Sequence, residues 1–209
     1  MPKKSFTSSF FNYILIGCLI AMCLKIYFNS EVYNLKCIIA NENGKKYCIR
    51  DRYKIKEAAN LLASAVDNCS KLVEYTKNKY PQREDIKRLV EGFNSNNISE
   101  TLPNSELTAY SENKGEKLAF CLNRTKNSNN KLIDLNTLTF VAIHELAHIM
   151  TKSVGHKQEF WNNFKFLLEN AEKAGIYNPV DYKNDPQSYC GITITDNPYN
   201  DLKNVDTSI

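Results

Sequence analysis

All three histidines of this 209-residue chain lie in one short stretch, at His144, His148 and His156. On a helix, His144 and His148 would lie one turn apart on the same face, so both imidazoles could bind one metal ion. Glu145 completes the pattern His-Glu-x-x-His, in which the carboxylate serves as the general base of a metal-dependent hydrolase. The stretch therefore predicts a metal site with a catalytic carboxylate beside it.

A catalytic zinc site needs a third protein ligand and an open fourth position for water. His156 is favoured as the third ligand, because Gly155 lets the chain turn back after the helix. Glu169 and Glu172 are the alternatives, since some enzymes with this helix motif use a glutamate about twenty residues downstream. The predicted cofactor is Zn²⁺, and the predicted chemistry is hydrolysis of an amide bond.

Two helices must position these residues. Residues 136–151 are predicted to form the motif helix, with Asn136 or Thr137 as its N-cap. Residues 156–174 are predicted to form a second helix with an apolar stripe, which indicates core packing in preference to substrate contact. The stripe consists of Phe160, Trp161, Phe164, Leu167, Leu168 and Ala171.

The rest of the body alternates between helical and extended patterns. Apolar spacing predicts a helix within residues 51–80 and a short helix at 85–93. Two short strands are predicted at 107–111 and 117–122, joined by a turn that contains glycine. Residues 176–199 are expected to be irregular. Together these elements predict one α+β domain, with a small mixed sheet packed on helices that include the motif helix.

The N-terminal segment is apolar from residue 10 to residue 28, interrupted only by Asn12 and Lys25. This length is close to the ~20 residues that cross a membrane as a helix. We therefore predict a single-pass membrane anchor at residues 10–28 after a short basic tail at residues 1–9, with orientation and membrane compartment left open. A cleaved signal peptide is less favoured, because no small-x-small cleavage site follows the apolar stretch.

The predicted peptidase domain spans residues 29–200, with its motif core at 107–175, and a flexible tail follows at 201–209. The formal net charge is +4, and lysines around the apolar segment account for most of it. No run of basic residues with interleaved aromatics is present, so no nucleic-acid partner is expected. The abundance of Asn and Lys indicates an AT-rich genome such as that of a virus or a protist.

The five cysteines of the body show no tight metal-binding spacing. Their odd number cannot pair completely, and disulfides such as Cys37 with Cys48 remain open. Cys121 or Cys190 could also fold back as a fourth ligand, which would close the site and make the metal purely structural.

The residues that carry a family resemblance are His144, Glu145, His148, Gly155, His156, Phe160 and Trp161. Their order and spacing resemble those of the WLM and SprT-type minimal zinc metallopeptidases. The similarity covers about residues 107–174, including the order of strand, polar loop and motif helix. It implies that the three histidines bind zinc and that the glutamate acts as general base of a peptidase.

The resemblance also implies that the strand at residues 117–122 is a sheet edge, to which an extended substrate adds by main-chain hydrogen bonds. The implied substrate contacts on this strand are Ala119, Phe120 and Cys121. Because well-known members of the family act on proteins crosslinked to DNA and this body is nearly neutral, that substrate class is not carried over. The expected partner is a protein or peptide substrate, together with a membrane bound through residues 10–28.

Stabilisation of the tetrahedral oxyanion needs a further donor, and in related larger enzymes it is a distal His or Tyr. No fourth histidine exists, so Tyr189 is the predicted donor, with Tyr182 and Tyr177 as alternatives. The sequence thus predicts a membrane-anchored zinc metallopeptidase. The rival interpretations are a different zinc hydrolase, such as a nuclease or amidase, and an anchored interaction protein with an inert zinc site.

Overall fold

Helices and short strands alternate along the chain in the computed structural model, which describes residues 6–29, 35–126 and 131–200. The helices are α1 (Phe6–Asn29), α2 (Ile55–Lys79), α3 (Glu84–Gly92), α4 (Leu135–Met150) and α5 (Gln158–Lys173). The strands are β1 (Leu35–Ile39), β2 (Lys46–Arg50), β3 (Ile98–Glu100), β4 (Ala109–Glu112), β5 (Lys117–Phe120), β6 (Gln187–Tyr189) and β7 (Ile192–Ile194). This mixture confirms the predicted α+β class.

The N-terminal prediction is wrong. Within the part of the chain that the structure describes, no helix combines the length and apolar character needed to cross a membrane. Within α1, Asn12 and Lys25 interrupt the run of apolar residues. The predictions of an anchor at residues 10–28 and of a membrane location are therefore withdrawn.

The two predicted tails fall partly or wholly outside the described residues. Of the tail at residues 1–9, the first five lie outside them, and α1 already begins at Phe6. The tail at residues 201–209 lies outside them entirely.

Helix α4 lies at the centre of the body, in contact with α2, α3, α5 and β4. Most of its side chains are buried, because apolar residues occupy nearly every face. Its N-cap is Asp134, whose carboxylate accepts hydrogen bonds from the backbone N–H and the hydroxyl of Thr137, both at 2.8 Å. The predicted cap at Asn136 or Thr137 is thus wrong, since the helix begins earlier, at Leu135.

The main sheet has three strands in the order β3, β5, β4. Strand β3 runs parallel to β5, and β4 runs antiparallel to it. The small mixed sheet is therefore confirmed, but β5 is its central strand and the edges are β3 and β4. Strand β4 is the edge that contacts α4.

Two further hairpins, β1–β2 and β6–β7, carry the disulfides. Cys37 and Cys48 face each other across β1 and β2 and are bonded. Cys121, just after β5, is bonded to Cys190, between β6 and β7. The hairpin β6–β7 corrects the expectation that residues 176–199 are irregular, and its disulfide fixes it to the end of the main sheet.

Buried charges join the first hairpin to the main sheet. The Arg52 guanidinium forms an ion pair with Glu100 and donates to the side-chain oxygen of Asn123 at 2.6 Å. The Arg50 guanidinium donates to the carbonyl and hydroxyl of Thr101 at 2.7 and 3.0 Å. Removing one member would leave a buried charge unpaired, which typically costs about 3–5 kcal/mol.

The turn between β4 and β5 touches both α3 and α4, and two glycines permit this approach. Gly115 has a φ of +106°, and a Cβ there would collide with the carbonyl oxygen of Gly92. A Cβ on Gly92 would lie 2.5 Å from Cγ2 of Ile149 and 2.6 Å from the carbonyl oxygen of Lys114. The predicted turn is confirmed, and it lies against the C-terminal end of the motif helix.

Candidate metal centre

Helix α4 places two imidazoles one turn apart, and the following loop brings the third to them. Nε2 of His156 lies 3.1 Å from Nε2 of His144 and 3.1 Å from Nε2 of His148. Gly155, with a φ of +80°, turns the chain just before His156. The structure therefore brings together all three histidines that the sequence predicted.

The geometry of the three nitrogens fits zinc. Zn–N bonds of about 2.05 Å arranged tetrahedrally would place neighbouring nitrogens about 3.3 Å apart. The observed separations of 3.1 Å are close to that value. Zinc in catalytic sites is also commonly bound by three histidines, with the fourth coordination position left open for water.

The aromatic ring of Phe160 forms a floor beneath the three imidazoles. Its centroid lies 4.8 Å from that of His144, 4.4 Å from His148 and 4.5 Å from His156. Phe160 itself is fully buried. An apolar floor keeps water away from one side of the cluster and holds the ring orientations by packing.

Burial keeps the imidazoles of α4 uncharged. Desolvation, with a smaller contribution from the neighbouring histidines, lowers the pKa of His144 to about 3. Desolvation likewise lowers the pKa of His148 to about 4, with His156 and Lys114 contributing. Only a neutral imidazole can donate its lone pair to a metal. The two side chains are thus in the binding form at neutral pH even without a cation.

Glu145 lies on α4 directly after the first histidine and is 5% exposed. Burial raises the pKa of its carboxyl to about 8. The residue lines two cavities that meet at His144, one of about 280 Å³ and one of about 620 Å³. A carboxyl at such a site could exchange a proton with a bound water or substrate, as general acid–base catalysis requires.

The loop that carries His156 is held by a lysine from the β4–β5 turn. The ammonium of Lys114 donates to the carbonyl oxygens of His148, Thr151 and Ser153, at 3.0, 2.6 and 3.0 Å respectively. These are carbonyls at and beyond the C-terminal end of α4, where a positive charge is favourable. Lys114 thereby ties the end of the helix to the loop.

Two residues of α5 hold the same loop from the other side. The carboxylate of Glu159 accepts hydrogen bonds from the backbone N–H groups of Lys152 and Ser153, at 3.0 and 3.2 Å. The side-chain amide of Asn163 donates to the hydroxyl of Thr151 at 2.9 Å. The position of His156 thus depends on polar contacts from elements that lie far apart in the sequence.

The edge strand β4 runs between the two cavities. Ala109 lines both of them, next to His144 and Glu145. We call the smaller one the apolar cavity; it lies toward the start of β4 and includes Trp161 and Ile192. The larger one, the loop-side cavity, extends along β4 toward the turn and the loop that carries His156.

The predicted substrate contacts on β5 are corrected by this arrangement. Ala119, Phe120 and Cys121 are at most 1% exposed. Strands β3 and β4 pair with both edges of β5, so no main-chain groups of Ala119 or Phe120 are left for a peptide. The sequence pattern identified the correct hairpin but the wrong strand, because the partner strand β3 was not predicted.

The predicted oxyanion donor Tyr189 lies beside the centre but is engaged elsewhere. Its hydroxyl donates to the carbonyl oxygen of Thr108 at 3.1 Å, which uses its only proton. Tyr189 therefore acts as a wall of the apolar cavity and does not serve as an oxyanion donor in this structure. Tyr177 and Tyr182 pack against Phe140. Neither is among the described residues that line the two cavities.

The alternative ligands lie away from the histidines. Glu169 pairs with Lys165 on α5, and Glu172 accepts a hydrogen bond from the hydroxyl of Tyr199. Cys121 and Cys190 are bonded to each other, so neither closes the fourth position. Within the described residues, the group that could hold a metal ion consists of the three histidines alone.

Sequence reasoning missed several contributors to the site, three of which are instructive. Phe160 and Trp161 were assigned to the core, yet Phe160 supports all three imidazoles, and Trp161, 41% exposed, lines the apolar cavity. The signal for Trp161 was present, because an aromatic next to Phe160 cannot share its helix face. Lys114 gave no signal, since its contacts are with backbone carbonyls of another element.

Comparison with known proteins gives a family and viral relatives. Residues 84–204 match the model of the WLM domain family. Uncharacterized protein R325 of Acanthamoeba polyphaga mimivirus is 30% identical over 188 residues, which cover 86% of this chain and 93% of that protein. Uncharacterized protein 136R of Invertebrate iridescent virus 6 is 33% identical over 75 residues, covering 36% of this chain and 41% of that protein. Composition indicated a genome such as that of a virus or a protist, and these relatives are viral.

Among solved structures, Wss1 from Saccharomyces cerevisiae is similar, with a TM-score of 0.47 and 17% identity. The similarity covers 66% of this chain and 99% of the Wss1 chain. A mutant of Wss1 gives a TM-score of 0.45 at the same identity, covering 62% of this chain and 92% of the other.

Proposed function

Because the chain belongs to the WLM domain family, we propose that it is a zinc-dependent metallopeptidase that hydrolyses peptide bonds of a protein or peptide substrate. The observation that carries this proposal is the convergence of three imidazole nitrogens beside a buried glutamate. His144, His148 and His156 are the proposed zinc ligands, and Glu145 is the proposed general base.

The chemistry follows from the positions of these side chains. A zinc ion held by the three histidines would lower the pKa of its water to about 7 and polarise a substrate carbonyl. Glu145 accepts a proton from the attacking water on its carboxylate oxygen and donates that proton to the nitrogen of the leaving amine. The raised pKa of about 8 belongs to the metal-free site. A zinc ion beside the carboxyl would lower this pKa and so favour the carboxylate form that accepts the proton.

We propose that the substrate lies extended along β4. A strand at the edge of a sheet has main-chain groups free to pair with a peptide, and β4 is the edge beside Glu145. This placement favours a peptidase over a nuclease or another hydrolase, because a nucleotide chain cannot continue a β-sheet. Residues 29–200 remain the proposed catalytic domain, with the motif core at 107–175.

Two measurements test the proposal. Elemental analysis of the full chain should find one equivalent of zinc, with a marked loss in His156→Ala. Wild type should cleave a denatured protein, whereas Glu145→Gln should retain zinc and lose activity. A wild type that takes up no zinc would refute the metal site. Equal activity in Glu145→Gln would refute the catalytic role and favour the inert-site alternative.

A further inference from the structure

The apolar cavity is lined by helices α4 and α5, strand β4 and the hairpin β6–β7, beside the metal centre. Helix α4 contributes Phe140 and Val141, α5 contributes Trp161 and Phe164, and the hairpin β6–β7 contributes Ile192. His144 and Glu145 form its inner end. A side chain that entered from the peptide-binding edge would therefore reach this space within one residue of the reacting carbonyl.

Two large apolar side chains stay exposed at the mouth of this cavity. Trp161 is 41% exposed and Ile192 is 50% exposed, although both have apolar neighbours on the inner side. Single exposed hydrophobic residues are common on protein surfaces. These two come from different elements, α5 and the hairpin β6–β7, and both line the same cavity, as expected where an apolar group of a ligand is to be enclosed.

The polar groups at the cavity are already paired. Tyr189 uses its hydroxyl proton on the carbonyl of Thr108. Apart from the residues of the metal centre, Asp196 is the one charged side chain among the described residues that line the cavity, and it forms an ion pair with Lys183 at 3.3 Å. A basic side chain entering the cavity would therefore find only an exposed carboxylate that already has a partner, which compensates poorly for the water it loses.

The size of the apolar cavity limits its occupant. At about 280 Å³ it lies just below the ~300–1,000 Å³ that enclose whole small-molecule ligands. It suits one large side chain of a longer substrate. The loop-side cavity, at about 620 Å³, is wider and carries Ser111, Asn113 and Lys114 on its wall, so it imposes less selection.

We propose that the apolar cavity is a specificity pocket, which binds an aliphatic or aromatic side chain of the substrate next to the scissile bond. Trp161 and Ile192 are its specificity-determining residues. This inference rests on the proposed peptidase function and names the class of substrate, namely peptides with a large apolar residue on one fixed side of the cut. In a hydrophobic pocket, a single methylene changes kcat/KM by about 10–200-fold.

The test uses the full chain with one equivalent of zinc and a mixture of peptides prepared from denatured proteins. Cut sites are identified by mass spectrometry, and Glu145→Gln provides the background. We expect Leu, Ile, Met or Phe at one fixed position next to the cut, with kcat/KM for a matched synthetic peptide at least about tenfold above that of its Ala analogue.

The variant Ile192→Asp tests the location of the pocket. A carboxylate on this half-exposed wall should lower the preference for Leu over Lys at that position by at least about tenfold. Ile39→Asp is the matched control, because Ile39 is 67% exposed on β1 and lies outside the cavity lining, so its preference should equal that of wild type.

The outcomes separate the inference from the function on which it rests. Glu145-dependent cuts without an apolar preference, or a preference unchanged in Ile192→Asp, overturn the pocket and leave the peptidase in place. An absence of Glu145-dependent cuts overturns the proposed function, and the pocket assignment falls with it. An apolar preference that weakens in Ile192→Asp and persists in Ile39→Asp supports both.

Discussion

The metal centre has two halves that are held in different ways. His144 and His148 belong to α4, the most enclosed helix, where side-chain packing fixes them. His156 belongs to the loop at residues 151–157 and is exposed. Its position depends on hydrogen bonds from Lys114 and α5, whose partners are mainly backbone groups of the loop.

The two halves therefore differ in what fixes the position of their ligands. Packing gives the helical half a fixed geometry and neutral imidazoles, at the cost of burying polar groups. Hydrogen bonds from a few side chains give the loop half a position that can relax when a contact is lost. Substitutions should therefore damage the two halves to different degrees, and the differences can be measured as zinc affinity.

The largest effect should come from removing a ligand. We expect His148→Ala and His156→Ala each to weaken zinc binding by more than about 100-fold, since loss of groups that merely support a ligand typically costs 10–100-fold. Competition with a chelating dye measures the affinity. The His156→Ala chain should keep the wild-type circular dichroism, because it removes an exposed side chain. A full-strength zinc site in that variant would exclude His156 as a ligand.

A smaller effect is expected when the loop loses its lysine. Lys114→Met removes three hydrogen bonds to the carbonyls of His148, Thr151 and Ser153 and should lower zinc affinity by about 10–100-fold. Lys71→Met is the matched control, since Lys71 is exposed on α2 away from the site. Equal affinities in the two variants would show that the loop does not need this contact.

A still smaller effect is expected at Glu159. Glu159→Gln keeps one acceptor oxygen for the loop N–H groups, so zinc affinity should fall by less than about tenfold. Those N–H groups, led by that of Lys152, lower the pKa of the Glu159 carboxyl below its ordinary value. The stabilisation is therefore complete above the ordinary pKa of about 4.5 and is lost as the pH falls through the lowered value. Unfolding of wild type and variant between pH 7 and pH 3 measures this difference.

The last expected result is the absence of a change. In the metal-free chain, His144 and His148 should remain neutral at pH 5, because burial lowers their pKa values to about 3 and about 4. Nitrogen-15 chemical shifts of the imidazoles report the protonation state, and the chain unfolded in urea should titrate near 6.5. Between the lowered pKa values of the folded chain and the value of about 6.5 in the unfolded chain, the unfolded chain binds more protons than the folded chain. The free energy of unfolding of the metal-free chain should therefore fall as the pH is lowered through this range. Titration near 6.5 in the folded chain would contradict the enclosure of the helical half.

The difference between the helical half and the loop half also explains how much of the site could be predicted from the sequence. The spacing of His144 and His148 is a local property of a helix, and it correctly placed both imidazoles on one face. His156 was also predicted, because a glycine marked the turn before it. Lys114 could not be predicted, since its partners are main-chain carbonyls that carry no side-chain signature.

The fold was predictable to a similar extent. Apolar periodicity gave α2, α3, α4 and α5, because each buries one face or more. Strand β3 and the hairpins β1–β2 and β6–β7 were missed, since strands of three to five residues show few alternations. The equally short β4 and β5 were recognised through the glycine-containing turn between them. Because β3 was not predicted, β5 was taken as the sheet edge, and Ala119, Phe120 and Cys121 were taken as substrate contacts.

The contact between Gly92 and Gly115 sets a limit on how this site can vary. Neither residue approaches a substrate, yet there is no space for even a methyl group on either, because backbone atoms lie where it would be placed. A library that samples every substitution should find these two positions nearly as intolerant as the histidines. Variation over time should accordingly spare this pair, while neighbouring surface positions drift freely.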